Sequence, residues 1–563
     1  MRINFKGLFG NIEREPSEWA IFKHLREKFS WLNPDRYKIE SFRKGYWNGR
    51  TYMISEAGAF LRGLASKIVD EARKEGYPVD YRPYEAEWAG VAAPYLPLVE
   101  SLALEGIELA EHQRRMTREL LRAGGGTVEG VTGSGKTESI TLLARILLEY
   151  TEPVFFLVHR IGLMRGASDR VKLRCPEIAD LVGLLGDGER PRPTDKIIFS
   201  TVQTLSSIHG FIKGTVRDKD LTKLWAKAGA VIIDEAHRVT GDAYLRVLRR
   251  VEEAPIFQFT GTPEVDDPVS DWTIIGIGGP IVTRVKRSEM EKIGFIAEAV
   301  AVAREFPATL DGPGKRRKIR WSPEKEANDY YVTGLRVDRE DGSLWKERVK
   351  VDRVKGLNPD DDETYLYPEY GRDMLILEES RNADLLDFVR ASLAAGRPAL
   401  ILAEKIAQLY YLRGYFTRAS DPIPASRIGI IHGSHTSKAR RTIVKAFEEG
   451  ETSVLLASTI FDEGEDIRGI GSVVLAAGGA SLVRVVQRIG RGIRAKGKEM
   501  GNYTPIWFPV DYLTRFSREH TEARIRYLSR AEITTEENSG PDWGSFFDYL
   551  HNKYSGNTTR VLL

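Results

Sequence analysis

The sequence predicts an α/β protein with two parallel-sheet units, a small N-terminal α+β domain and a β-rich insertion between the units. Short apolar segments alternate with helical patterns twice, between residues 119 and 281 and again from residue 382. This alternation is typical of parallel sheets covered by helices. Residues 294–371 interrupt it with proline, glycine and runs of charge, which indicates a separate module.

The individual strands are placed at the short apolar segments. In the first series they are predicted at 127–129, 154–158, 196–200, 230–233 and 256–259. In the second series they are predicted at 399–403, 428–431, 453–457, 472–476 and 505–508. A helix is predicted over 139–150, directly after a glycine-rich loop.

Two dipeptides give the strongest short signals for hairpins. Asn48-Gly49 predicts a hairpin over 46–52 in the N-terminal domain, and Asp341-Gly342 predicts another over 337–346 in the insertion. A helix is predicted over 58–75.

Composition describes an ordinary soluble protein. The 563 residues exceed one core, since a domain usually holds about 100 to 200 residues. The charges of the 83 basic and 80 acidic residues nearly cancel. The net charge of +3 therefore does not indicate which class of partner the protein binds. A single cysteine, Cys175, excludes an internal disulfide framework and agrees with a reducing compartment. No targeting segment and no apolar run of roughly 18 residues is found, so we expect a cytoplasmic protein without a membrane span.

The glycine-rich loop at 130–137 reads Gly-Val-Thr-Gly-Ser-Gly-Lys-Thr. Glycines let backbone N–H groups close around phosphate oxygens, and the helix that follows adds the positive end of its dipole. Lys136 is expected to reach the outer phosphates and Thr137 to hold Mg²⁺. The loop therefore predicts a nucleotide site. Its expected contacts are Gly130, Thr132, Gly133, Ser134, Gly135, Lys136 and Thr137.

Two acids follow the apolar segment 230–233. Ligands of α/β sheets bind at the carboxyl ends of strands, where Asp234 and Glu235 lie. We expect Asp234 to hold Mg²⁺, mostly through water, and Glu235 to orient and deprotonate the attacking water. The alternative is a solvated helix start, in which the acids only face the helix dipole.

Far along the chain, residues 487–494 read Gln-Arg-Ile-Gly-Arg-Gly-Ile-Arg. Arg491 and Arg494 are three residues apart, which places them on one helix face. A guanidinium stabilises the charge that develops in phosphoryl transfer. By itself the cluster is more typical of a solvated or nucleic-acid-facing helix.

In this order, the three elements resemble the Walker A motif, the DEAH box and the QRxGRxxR motif of superfamily 2 helicases. The resemblance covers about residues 111–511, without the insertion. It implies two RecA-like lobes with ATP between them, and it implies catalytic roles for Lys136, Asp234, Glu235, Gln487, Arg491 and Arg494.

Weaker segments fall in the family order as well. The segments at 156–160 and 199–204 resemble nucleic-acid-contacting motifs, and 260–263 resembles the motif that couples hydrolysis to movement. Segment 457–467 resembles a motif in which a glycine and an aspartate contact nucleotide. The residues that this resemblance assigns to nucleic acid are Arg160, Thr201 and Thr459, and those that it assigns to nucleotide are Gly464 and Asp466.

The family also implies that Gln113 reads adenine, although the upstream aromatic residue that often accompanies it is absent here. The alternative is an exposed helical glutamine. His237 either bridges the lobes or caps the turn after the acids.

The N-terminal segment 42–50 resembles the hairpin of phage UvsW-type recombination helicases, which remodel branched DNA in recombination and repair. Arg43, Lys44 and Arg50 are expected to neutralise phosphate, and Tyr46 and Trp47 to offer a stackable aromatic surface. The alternative is a hairpin with core aromatics and solvated arginines. A second basic and aromatic cluster lies at 315–321 in the insertion, and either grips a duplex arm or is a solvated loop.

These observations predict an ATP-dependent, Mg²⁺-requiring DNA helicase or translocase that remodels branched DNA in replication, recombination or repair. An RNA-directed ATPase of the same superfamily, an inactive adaptor and the motor subunit of a restriction or defence complex remain alternatives, and the protein partners stay open. The predicted domains are an N-terminal DNA-binding domain at 1–100, lobe 1 at 101–290, the insertion at 291–375, lobe 2 at 376–515 and a C-terminal extension at 516–563.

Overall fold

The structure is a computed structural model. It describes residues 1–34, 36–131, 133–210, 218–261, 268–306, 324–326, 329–351, 365–366, 375–458, 467–476, 502–510, 515–530, 533–537 and 542–554. The chain divides into two compact units, Met1–Lys286 and Arg287–Leu563.

The first unit begins with a small α+β domain. Its strands are β1 (Arg2–Lys6), β2 (Phe9–Glu13), β3 (Ser30–Leu32), β4 (Arg50–Tyr52) and β5 (Ala59–Leu61). Its helices are α1 (Trp19–Lys28), α2 (Glu40–Arg43) and α3 (Ala65–Lys74), followed by α4 (Glu85–Ala92) and α5 (Leu98–Ser101). Strands β1, β2 and β5 form an antiparallel sheet, and β3 pairs with β4.

The hairpin predicted over 46–52 is wrong. Strand β4 pairs antiparallel with β3, which lies about 20 residues earlier in the chain, with Trp31 opposite Thr51. Gly49 still provides the left-handed turn expected of it, at φ +81°. The helix predicted over 58–75 is shorter than expected, because β5 and a 3₁₀ turn at Arg62–Leu64 precede α3.

The rest of the first unit is a parallel α/β layer. Its strands are β6 (Gly126–Gly130), β7 (Val154–Val158), β8 (Val182–Leu185), β9 (Ile197–Thr201), β10 (Ala230–Asp234), β11 (Ile256–Thr260) and β12 (Ile281–Val285). Its helices are α6 (Glu111–Ala123), α7 (Lys136–Leu147), α8 (Ile161–Arg174), α9 (Val202–Ile208), α10 (Lys219–Ala226), α11 (Asp242–Leu248) and α12 (Pro268–Gly278). The order β12-β6-β11-β10-β7-β9-β8 is parallel throughout.

A buried arginine joins the N-terminal domain to this layer. Arg62 donates to the carbonyl oxygens of Gly7, at 2.9 Å, and Ala254, at 2.7 Å. Its guanidinium also stacks on the Tyr84 ring, 3.9 Å from the centroid. Beside it, a Cβ on Gly63 would fall 2.1 Å from the Ile275 carbonyl oxygen of α12. The two parts of the first unit therefore pack backbone to backbone.

The second unit holds a second parallel layer. The strands of this layer are β13 (Glu298–Glu305), β18 (Ala399–Ala403), β19 (Ile428–Ile431), β20 (Val454–Ser458), β21 (Ser472–Leu475), β22 (Tyr503–Val510) and β23 (Thr534–Glu537). Four further strands lie between β13 and β18 in the chain: β14 (Glu324–Glu326), β15 (Asp329–Val337), β16 (Leu344–Val351) and β17 (Tyr365–Leu366). Its helices are α13 (Arg287–Lys292), α14 (Glu379–Ala394), α15 (Ile406–Arg418), α16 (Ser437–Glu448), α17 (Arg515–Arg530) and α18 (Trp543–Tyr554). The order β19-β20-β18-β21-β22-β13-β23 is again parallel throughout.

Two segments of this layer lie outside the limits predicted for lobe 2. Residues 298–305, assigned by sequence to the insertion, form β13 between β22 and β23. Residues 534–537 of the C-terminal extension form β23. A side-chain cluster ties the layer together, because Asp384 accepts from the indoles of Trp507, at 3.0 Å, and Trp543, at 3.1 Å, and pairs with Arg304.

The insertion is β-rich as predicted. Strands β14 to β17 form an antiparallel sheet, and the Asp341-Gly342 turn joins β15 to β16. The turn packs on α15, where a Cβ on Gly414 would fall 2.2 Å from the Asp341 carbonyl oxygen. Two α/β layers, a small N-terminal α+β domain and a β-rich insertion confirm the predicted fold class. The finer domain limits stay predictions, and no helix within the described ranges has the length and apolarity of a membrane span.

Candidate functional site

The motifs of the first unit meet at one edge of its sheet. Strands β6, β11, β10, β7 and β9 are neighbours and parallel, so their carboxyl ends share an edge. The glycine-rich loop leaves β6 there, and Asp234 is the last residue of β10. Arg160 follows β7, and Thr201 is the last residue of β9. One edge thus carries the phosphate-loop, acidic and basic elements.

The glycine-rich loop turns from β6 directly into α7. Gly133 and Gly135 have φ angles of +90° and +73°, a backbone conformation that residues other than glycine rarely adopt. Lys136 is the first residue of α7 and is buried, with Nζ donating to the Gly130 carbonyl oxygen at 2.7 Å. The first N–H groups of α7 lie at this loop, where a helix N-terminus favours an anion.

Two side chains of helix α6 contact the backbone of the glycine-rich loop. Gln113 is only 4% exposed, so the alternative of an exposed glutamine is excluded. Its Nε2 donates to the Gly135 carbonyl oxygen at 3.4 Å, and its Oε1 accepts from Ala110 N at 2.9 Å. His112 Nε2 lies 3.0 Å from the Ser134 carbonyl oxygen. Gln113 therefore positions the loop, and its proposed role in reading adenine stays a prediction.

Sequence reasoning missed His112. It precedes Gln113 on the same helix, and adjacency to a suspected loop contact was the only signal available. Its contact with the loop spans 22 residues, a separation that periodicity does not reveal.

The acidic pair has an unusual backbone. Glu235 has φ +53°, in the left-handed region that non-glycine residues seldom occupy and that is common at functional sites. Asp234 Oδ1 accepts from Glu235 N at 2.9 Å, and Glu235 Oε2 lies 3.4 Å from His237 Nδ1. Burial, followed by the negative charge of Asp234, raises the pKa of Tyr244. The pair does not start a solvated α-helix, because a 3₁₀ turn at Ala236–Arg238 follows it.

A histidine at the end of β7 faces the same edge. Burial, with the positive charges of Arg238 and Arg160, lowers the pKa of His159 to about 4, while Glu235 acts in the opposite direction. His159 is therefore neutral near pH 7. Arg160 itself is exposed at the start of α8.

Thr201 is buried and caps α9. Its hydroxyl accepts from Thr204 N at 3.2 Å and lies 2.9 Å from the Thr204 hydroxyl. Capping of α9 by this hydroxyl is sufficient to account for a threonine at position 201. Its proposed contact with nucleic acid stays a prediction.

The N-terminal site residues divide by burial. Arg43 is exposed on α2. Trp47 is half-buried, and its indole donates to the Arg50 carbonyl oxygen at 2.7 Å. The Arg50 guanidinium donates to the Ser30 hydroxyl at 2.8 Å. Trp47 and Arg50 thus hold this segment together, and of the predicted contacts here Arg43 is the most accessible.

Several predicted residues lie outside the described part of the chain. They are Thr132, Thr459, Gly464, Asp466, Gln487, Arg491 and Arg494, together with the basic cluster at 315–321 and residues 262–263. Their roles remain predictions.

The described residues fit a magnesium–nucleotide complex. A Cβ on Gly130 would lie 3.0 Å from the Ser134 hydroxyl, so glycine gives the compact loop the room that it needs here. The hydroxyl of Thr137 and the carboxylate of Asp234 are the oxygen ligands that Mg²⁺ prefers, and Lys136 supplies a point charge for phosphate.

Two family models match the chain, one on each α/β layer. Residues 106–265 match the model described as "Type III restriction enzyme, res subunit". Residues 380–496 match the model described as "Helicase conserved C-terminal domain".

Individual relatives are distant. A protein named DNA 3'-5' translocase XPB2 of Sulfurisphaera tokodaii is 25% identical over 71% of this chain and 81% of its own. Putative helicase 22 of a Sulfolobus islandicus filamentous virus is 23% identical over 85% of this chain and 76% of its own. Among solved structures, UvsW of phage T4 aligns over 95% of this chain and 98% of its own at 16% identity, with a TM-score of 0.42.

The two family models follow each other in the order of the predicted motifs, and each falls on one of the two parallel layers. The helicase domains at residues 106–265 and 380–496 therefore support an ATP-hydrolysing enzyme of the superfamily 2 helicase type.

Proposed function

We propose that this protein uses ATP hydrolysis to move along and remodel branched DNA, such as forks and crossovers. The observation that carries the proposal is the shared edge of the first sheet, where Lys136, Asp234 and Glu235 lie with the exposed Arg160. The residues assigned to hydrolysis and an exposed basic residue thus lie at the same edge of the first sheet.

The chemistry follows from these side chains. Lys136 and the N–H groups of the loop bind the phosphates, and Glu235 orients the attacking water and accepts its proton. Thr137 and Asp234 would hold Mg²⁺, which would supply positive charge to offset the negative charge of the phosphates. Arg491 and Arg494 are assigned to the charge that develops during transfer, on the motif that they match.

DNA is supported as the substrate by relatives. One is named a DNA translocase, and another, 27% identical over 21% of this chain, is named ATP-dependent DNA helicase RecG. Arg43 and Arg160 suit a backbone contact, which recognises structure more than base sequence.

A second candidate is the motor subunit of a restriction or defence complex. The description of the model that matches residues 106–265 favours it. This candidate requires a partner chain that carries the nuclease or specificity unit, and co-purification with such a partner distinguishes it from the first.

The test is ATP turnover on a panel of single-stranded, duplex, forked and four-way DNA, with RNA of the same sequences. We expect forked and four-way DNA to stimulate turnover most, and we expect stimulation to fall steeply with salt because phosphate contacts release counterions. Stronger stimulation by RNA would favour the RNA-directed alternative. Absence of turnover on every substrate would support the inactive adaptor.

A further inference from the structure

Exposed apolar side chains concentrate in residues 30–52, called here the N-terminal knob. Four large hydrophobic residues are exposed in this short segment. They are Leu32, Tyr37, Ile39 and Tyr46. Tyr46 is 84% exposed and Tyr37 63%, the two highest values among the exposed large hydrophobic residues of the described ranges. Such a group on a soluble surface marks a site of interaction.

The exposure of Tyr46 is fixed by the backbone around it. Tyr46 N donates to the Ser41 carbonyl oxygen at 2.8 Å, and Gly45 before it has φ +75°. On its other side, the indole of Trp47 is bonded to Arg50. A Cβ on Gly49 would fall 2.6 Å from Arg36 Cδ, so this turn also closes tightly. The Tyr46 ring is therefore exposed to solvent on a turn that hydrogen bonds and close packing hold in place.

The charge of the knob favours nucleic acid over a protein partner. The segment holds five basic and two acidic residues, so its 23 residues alone carry a net charge equal to that of all 563. Arg43 is exposed and makes no ion pair with the described residues. The Arg36 guanidinium lies 4.4 Å from the centre of the Tyr37 ring. Aromatic faces beside cationic groups are the surface that binds unpaired bases and their phosphates.

The position of the knob agrees with this partner. Strand β3 contacts α12, and Phe29, just before β3, lies 6.0 Å from Trp272 of α12 between ring centres. Helix α12 follows the carboxyl end of β11 and contacts the turn at Ala236–Arg238. The knob is therefore attached near the edge that carries Glu235.

We propose that Tyr46 stacks on an unpaired base where the strands of a DNA branch separate, with Arg36 and Arg43 contacting the flanking phosphates. This inference rests on the proposed function, since it takes branched DNA as the ligand. It assigns to the knob the recognition of the opened base pair, which is distinct from the contacts that drive movement.

The test uses forked DNA with 2-aminopurine as the first unpaired base, bound without nucleotide to the full chain. We expect the wild type and Tyr46→Phe to quench the fluorophore by stacking, and Tyr46→Ala not to. Affinity for the fork should fall by about five-fold or more in Tyr46→Ala, as loss of one base–aromatic stack implies. Affinity for blunt duplex should be unchanged.

The matched control is Trp19→Ala, which removes an aromatic that is 55% exposed on α1, outside the knob. It should bind and quench like the wild type. Equal quenching and equal fork affinity in Tyr46→Ala and the wild type would overturn the inference. Fork-stimulated ATP turnover of the wild type, measured separately, reports on the proposed function, so the two failures are distinguishable.

Discussion

The side chain of Gln113 occupies the space that a β-carbon on Gly135 would need. The distance from that Cβ to Gln113 Nε2 would be 2.0 Å, and Gly135 also has φ +73°. The positive φ angle therefore favours glycine at this position, and any other residue would also displace the Gln113 side chain.

This relationship predicts a double-mutant cycle. Gly135→Ala should weaken nucleotide binding, because the Gln113 amide must move and give up its bond to the Gly135 carbonyl oxygen, and alanine must adopt φ +73°. Gln113→Ala in the same chain removes the clash and should restore part of the affinity, leaving a backbone cost of about 1–2 kcal/mol. Binding of a fluorescent ATP analogue measures both. Strictly additive effects of the two substitutions would show that the side chains do not meet.

Glu235→Gln should separate nucleotide binding from hydrolysis. The amide keeps the shape of the side chain but cannot accept the proton from water, so turnover should fall by at least about 10²-fold while ATP binding persists. Single-turnover hydrolysis and equilibrium ATP binding measure the two. Glu252→Gln, at an exposed acid near the opposite ends of the strands, is the control and should leave turnover unchanged. A wild-type rate in Glu235→Gln would remove Glu235 from the chemistry.

Arg62→Met should loosen the N-terminal domain. It removes the guanidinium donor from the half-buried Gly7 carbonyl and from the buried Ala254 carbonyl, which keeps only the Tyr84 hydroxyl at 3.5 Å. The loss should cost up to about 1–3 kcal/mol for each carbonyl. We expect a lower unfolding temperature and faster proteolytic release of residues 1–100. Arg2→Ala breaks an exposed ion pair with Asp80 and should cost no more than about 1 kcal/mol. Equal protease resistance of the two variants would contradict the bridging role of Arg62.

His159 predicts a loss of stability in mild acid. Its pKa is about 4 in the folded protein, below the value of about 6.5 of an unperturbed histidine, so the unfolded chain binds more protons between these values. The stability that comes from the neutral ring is complete above pH 6.5 and declines as pH falls toward 4. The free energy of unfolding should therefore depend less on pH across this window in His159→Gln than in the wild type. Above pH 7 the two profiles should run parallel. An identical slope below pH 6.5 would exclude His159 as the cause.

Local patterns predicted much of the site, and distant contacts explain what they missed. The phosphate loop and the acids after β10 are visible because glycine spacing and a buried strand are encoded within a few residues. Arg62 gave no such signal, since it bonds to Ala254, 192 residues away. The hairpin at 46–52 was wrong for a related reason: β3 provides the pairing edge that an Asn-Gly turn alone does not specify.

Pairing between strands distant in sequence also limited the prediction of the second sheet. Strand β13 pairs with β22, some 200 residues further along the chain, so sequence alternation near residue 298 could not assign it to that sheet. The predicted strands of both series were found because each is short, apolar and buried in its sheet.

The central claim is that ATP hydrolysis at the edge carrying Lys136 and Glu235 drives the remodelling of branched DNA. The most direct measurement is the conversion of a labelled four-way junction into duplex products, followed on a native gel with ATP and Mg²⁺. We predict conversion by the wild type, none by Glu235→Gln and none when a non-hydrolysable analogue replaces ATP. Conversion that proceeds equally well without hydrolysis, or intact junctions in the presence of active ATP turnover, would contradict the account.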